Sequence, residues 1–125
     1  MRPDRQAYEQ PFAVGELGWR YHHLGIPTTV PRPDEVHLPH LKIHVAGFET
    51  SPFGIEWMRF DDDCPFVALV KTVPHLAFEV DDLDRELREC GLQILCEPGA
   101  PSQGVRAAMV LHDGAPVELI EFKKC

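Results

Sequence analysis

The sequence predicts an α+β domain built from two β-rich modules, the second a β-α-β-β-β unit and the first a version with its helix shortened or missing. Three observations predict it. The second half opens on a strand-like run, His75–Val80, that leads straight into a capped helical stretch. Asp113-Gly114 stands between two apolar-alternating runs, a strong hairpin signal. And His23, Glu56, His75 and Glu118 fall in or beside strand-like segments in the order His, Glu, His, Glu, as if one plan had been used twice. A chain of 125 residues is about one domain's worth, so both modules must share a single fold.

Residues 1–18 carry Pro3 and Pro11 with little periodicity and are expected to form an N-terminal arm, loosely docked or used in dimer contacts. The single domain is then 19–125, with modules at about 19–66 and 72–123. Arg20–Thr29 is expected as a strand ending near Pro27. Residues 30–39 contain Pro31, Pro33 and Pro39, and a ring at each of those positions removes a backbone donor, so no regular helix is expected there. Leu41–Phe48 and Gly54–Phe60 alternate apolar and polar residues with period two, and Asp61-Asp62-Asp63 closes the second of them with a solvated loop. In the second module, Pro74–Val80 is a strand and Asp81-Asp82 an N-terminal cap. Leu83, Leu87 and Cys90 then fall at helical spacing before Gly91. Leu92–Glu97, Val105–Leu111 and Pro116–Phe122 supply the remaining strands.

Composition narrows the function. A formal charge of −8 opposes both a phosphate backbone and an anionic membrane face, so neither nucleic acid nor membrane is an expected partner. No apolar run approaches the roughly 20 residues of a spanning helix, and the first 18 residues lack the apolar stretch of a signal peptide. The expected location is the cytoplasm. Cys64, Cys90, Cys96 and Cys125 show no paired or zinc-type spacing and are expected as reduced thiols.

Imidazole nitrogens and carboxylate oxygens are donors that zinc, nickel, cobalt, manganese and iron(II) accept together. Alone, a strand histidine or glutamate more often packs or faces solvent; the repeated pair points to one shared site. Period two places His75, Ala77 and Glu79 on one face of their strand and Leu76, Phe78 and Val80 on the other. Glu118, Ile120 and Phe122 likewise share a face opposite Val117 and Leu119. Arg59 has parity opposite Glu56 and is expected outside the site, whereas Arg106 could face inward and hold a substrate carboxylate. His44 is expected on a solvated strand face, and His37 and His40 on the surface or in a lid. Phe48, Trp57 and Phe66 are expected in the core or cavity wall.

The runs HHLGI (His22–Ile26), HLAFEVDDLD (His75–Asp84) and PVELIEF (Pro116–Phe122) resemble the vicinal oxygen chelate superfamily of glyoxalases, epimerases, extradiol dioxygenases and bleomycin-resistance proteins. The resemblance covers nearly the whole chain from Trp19 to Lys123. It implies two modules curling one mixed sheet around a cavity, with a metal ligand on the first and last strand of each module. Those positions are His23, Glu56, His75 and Glu118; His23 is chosen over His22 because it directly precedes Leu24-Gly25-Ile26.

The resemblance further implies an enzyme, a metal-dependent lyase or isomerase of glyoxalase I type. It would act on a small α-hydroxy or α-keto compound, or its thioester, through a metal-stabilised enediolate. The metal is expected to be zinc or nickel, with cobalt, manganese or iron as alternatives, and Glu118 or Glu56 the general base, Glu118 preferred. A homodimer is the expected assembly. Pro27 and Phe60 stand where bacterial glyoxalase I has Arg and Asn for glutathione, which counts against that cosubstrate. Two rivals follow from the same resemblance: an iron(II) dioxygenase using His23, His75 and Glu118, and a metal-free binding protein that sequesters its ligand.

Overall fold

In the computed structural model, which describes residues 4–123, eight strands form one curled sheet. They are β1 (Arg20–Pro27), β2 (Val36–Leu38), β3 (Ile43–Ala46), β4 (Ile55–Phe60), β5 (His75–Glu79), β6 (Gln93–Gly99), β7 (Val105–His112) and β8 (Ala115–Phe122). The helices are α1 (Phe12–Gly15), α2 (Ala68–Thr72) and α3 (Leu83–Cys90). Cys125 lies outside the described residues; Cys64, Cys90 and Cys96 are free thiols.

Strand order β2-β3-β4-β1-β5-β8-β7-β6 displays the repeat. In each half the first strand lies parallel to the last, β1 to β4 and β5 to β8, and the two halves meet where β1 runs antiparallel to β5. A parallel pair needs a crossover connection. The second module makes it through α3, β6 and β7; the first makes it through the proline-rich segment, β2 and β3, without a helix.

The local signals explain the second module. Asp82 accepts a hydrogen bond from the Arg85 backbone N–H at 3.1 Å, and Gly91 ends α3 at φ 66°, the left-handed conformation that costs a Cβ-free residue nothing. The Leu83 N–H, a donor the first helical turn leaves unpaired, is taken by Glu121 of β8 at 3.0 Å. The β7–β8 hairpin closes through Asp113 (φ 46°) and Gly114 (φ 83°), two successive positive φ angles that match the twist of the flanking strands. Beneath α3, Leu83 and Leu119 are fully buried with Val80, Ala108 and Trp19, each leucine contributing about 1.5–3 kcal/mol.

Three elements were not legible in the sequence. Strand β2 lies within the proline-rich connector; as the sheet's edge it pairs only with β3, so prolines on either side cost no ladder bond. Helix α1 lies in the N-terminal arm, whose Ala13 packs on the core and accepts the Trp19 N–H at 2.9 Å. Helix α2 joins the modules. Both are a turn or so long and have no side-chain cap. No helix among the described residues is long and apolar enough to cross a membrane.

Candidate metal centre

Cross-strand register gathers the site. Gly25 pairs with His75, His23 with Ala77, and Ala77 in turn with Glu118; Glu56 lies beside Gly25 on the opposite flank. Paired residues share a face, so two adjacent rows across the four central strands, Glu56–Gly25–His75 and His23–Ala77–Glu118, deliver the four residues to the concave side. His75 is 2% exposed and His23 6%, both far below what a solvated histidine shows.

Gly25 makes the row fit. A Cβ there would lie 2.7 Å from both His75 ring nitrogens, so the imidazole occupies the space a side chain would need. The register between β1 and β5 shifts between Tyr21 and His23. That irregularity lets His22 and His23 both border the cavity, which regular alternation forbids. His22 Nδ1 lies 2.7 Å from His23 Nδ1, leaving His23 Nε2 as the nitrogen that faces the carboxylates. His22 is stacked on Phe48, with ring centroids 4.9 Å apart. Sequence reasoning took one of the pair as the ligand and missed that the other orients it; only the bulge reveals the division of labour.

The donors converge closely. Glu118 Oε1 is 3.2 Å from His23 Nε2 and 3.2 Å from His75 Nε2, and Glu56 Oε1 is 3.7 Å from His23 Nε2. Ligand atoms of His23, His75 and Glu118 lie within 4.8 Å of one another, a group able to hold a metal ion; Glu56 stands just outside that group. Burial opposes charge on His23, but the hydrogen bond to Glu118 and the charges of Glu118 and Glu56 outweigh it and raise its pKa. Burial would likewise raise Glu118, yet hydrogen bonds from His23 and His75 hold it down at about 2. Glu56 is raised, chiefly by burial.

The donor set fits a divalent cation. Two carboxylates and two imidazoles face one point, and no lysine or arginine among the described residues lines the cavity. Something positive must sit between Glu118 and the imidazole nitrogens, either shared protons or a metal ion. The His75 Nδ1 is buried without a partner among the described residues, so the ring is placed by its packing against Gly25 and by the single Nε2 contact to Glu118.

The surrounding cavity holds about 470 Å³ and is walled by apolar side chains, among them Met58, Phe66, Met109 and Ile120. Phe48 and Phe66 border it as expected, and Cys96 does too. Trp57 instead faces the convex side, beneath the Arg32 guanidinium at 4.3 Å. Neither arginine candidate reaches the cavity. Arg59 is ion-paired with Glu35, as parity predicts for the outer face. Arg106 is held by Asp84 of α3 at 3.1 Å, so the inward role open to it in the sequence is excluded. His37 is in β2, His44 is half-buried on the convex face, and His40 hydrogen-bonds the Pro101 carbonyl at 2.8 Å. His112 is exposed beside the hairpin turn.

No protein-family profile matches the chain, and none of the curated proteins matches it significantly. Solved structures do. Methylmalonyl-CoA epimerase from Mycobacterium tuberculosis superposes with a TM-score of 0.59 at 22% identity, over 84% of this chain and 89% of that one. A hypothetical protein from Bacillus halodurans C-125 gives 0.54 at 22% identity, over 92% and 84%. These likenesses establish the fold.

Proposed function

We propose that this chain, whose fold is that of the vicinal oxygen chelate proteins, is a metal-dependent isomerase or lyase that moves the proton alpha to a carbonyl group. Its substrate would be a small α-hydroxy or α-keto compound, or the corresponding thioester. The observation that carries this reading is the convergence of His23, His75 and Glu118, with Glu56 beside them, in an apolar cavity that no lysine or arginine among the described residues lines. Those residues would hold the metal, and a bound divalent ion would supply Lewis acidity at the substrate's carbonyl oxygen.

Glu56 is the better general base. Glu118 Oε1 is fixed between two imidazoles and stays ionised, which suits a ligand. Glu56 has one looser contact at 3.7 Å and a pKa raised by burial, which brings it towards the range where a base works near neutrality. This reverses the preference for Glu118 that the sequence alone gives. Among the described residues no lysine or arginine lines the cavity to pair with a substrate carboxylate, glutathione's included. The structural likeness to a protein named methylmalonyl-CoA epimerase supports proton transfer next to a thioester carbonyl as the class of chemistry.

A second reading has its own observation. Two histidines and one carboxylate, without Glu56, make the tightest group, and that triad with open positions suits non-haem iron(II) and dioxygen. One experiment separates them. Elemental analysis of the purified protein should give about one metal per chain that His75→Ala, Glu118→Ala removes. Deuterium exchange at the α-carbon of hydroxyketone and thioester substrates, followed by NMR, should fall at least about 100-fold in Glu56→Gln with the metal retained. Iron with oxygen uptake indifferent to Glu56→Gln would establish the second reading instead. No metal, even after reconstitution, would leave a ligand-sequestering protein.

A further inference from the structure

The convex face of the first module is built differently from that of the second. Where α3 covers β7 and β8 with leucines, the residues facing out from β2, β3 and β4 include His37, His44 and Arg59, beside the Arg32-covered Trp57. Ile43, Val45 and Met58 line the cavity, so their neighbours must point the other way. His37 and His44 are direct cross-strand partners, and their rings stack with centroids 4.1 Å apart. Asp61, the first residue after β4, reaches both. Its Oδ2 is 2.9 Å from His37 Nε2 and its Oδ1 is 3.0 Å from His44 Nε2.

We propose that His37, His44 and Asp61 form a second metal site, independent of the cavity and of the function read from it, for a divalent late transition ion such as zinc, nickel or copper(II). The three ligand atoms lie within 4.8 Å of one another. Both histidines turn the same nitrogen, Nε2, towards one carboxylate, so an ion entering between them displaces two shared protons and needs no rearrangement of the backbone. The set is preorganised. His37 and His44 are fixed by strand register, and Asp61 is tied by its N–H to the Lys42 carbonyl at 2.9 Å.

The outer shell is also that of a metal site. His44 Nδ1 faces Glu35 Oε1 at 3.4 Å, so a carboxylate backs the imidazole on the side away from Asp61. A carboxylate on that side favours a proton on Nδ1, which leaves Nε2 free to ligate. Glu35 is in turn held by Arg59 and by the Arg32 backbone N–H at 3.2 Å. His37 is about half exposed, which gives an ion a route in and leaves a coordination position facing solvent.

Equilibrium dialysis against zinc alone tests this. His37→Ala, at an exposed position of the edge strand, should bind one zinc fewer per chain than its parent, whatever the cavity holds. The His75→Ala, Glu118→Ala chain should still bind one zinc, and adding His37→Ala should abolish it. Glu35→Gln should weaken that zinc on the order of 10- to 100-fold. Equal zinc content in the parent, His37→Ala and Asp61→Asn chains would overturn the proposal, as would a folded His75→Ala, Glu118→Ala chain that binds none.

Discussion

Gly25 and His75 show how closely one residue can depend on another's lack of a side chain. They are register partners on β1 and β5, and the imidazole fills the volume a Cβ would take. Gly25→Ala should therefore leave strand content unchanged, push His75 from its place, and weaken metal binding on the order of 10- to 100-fold; circular dichroism and elemental analysis check the two halves of that outcome. At this scale much of the site was legible. Alternation alone put His75 and Glu118 on the face opposite their bulky neighbours, and the structure places both in the cavity wall. What alternation could not give was anything decided by a distant partner. Arg106 turns outwards because Asp84 waits on α3, and the His22–His23 pair works as a unit because a bulge interrupts the strand.

The proline-rich connector between β1 and β3 shows the same limit for a whole element. Three prolines correctly excluded a helix, but composition could not say what covers the sheet instead. The cover is polar: Arg32 lies over Trp57, and Glu35 grips Arg59. The Arg59 hydrogen bond holds the Glu35 carboxyl at about 2, below its ordinary 4.5. A carboxylate with a depressed folded-state pKa stabilises the fold above its unfolded value and loses that contribution as pH falls through the folded one. Thermal melts of the parent and Glu35→Gln should differ at pH 7 and converge as pH drops from about 4.5 to about 2. A difference that persists undiminished at the acid end would mean that Glu35 acts by packing rather than charge. Strand β2 escaped notice for a related reason: three residues between prolines carry too short a pattern to read.

At the scale of the molecule the repeat in the sequence becomes a two-fold plan, with β1 against β5 at its centre and parallel pairs on either side. The repeated His–Glu order was enough to see this plan, because it is a local signal that occurs once in each half; the capped helix marked only the second half. They were not enough to see that the halves hold themselves together differently. One convex face rests on Leu83, Leu119 and Val80; the other on a web of Glu35, Arg59, His44, Asp61 and His37. Counterions screen the second kind of contact and barely touch the first: the screening length falls from about 10 Å at 0.1 M salt to about 3 Å at 1 M. Raising ionic strength should thus loosen one half of a pseudo-symmetric protein and spare the other. Hydrogen exchange in 1 M sodium chloride is expected to quicken at the amides of β3 and β4 relative to those of β7 and β8, so that two similar modules respond to salt as two different materials.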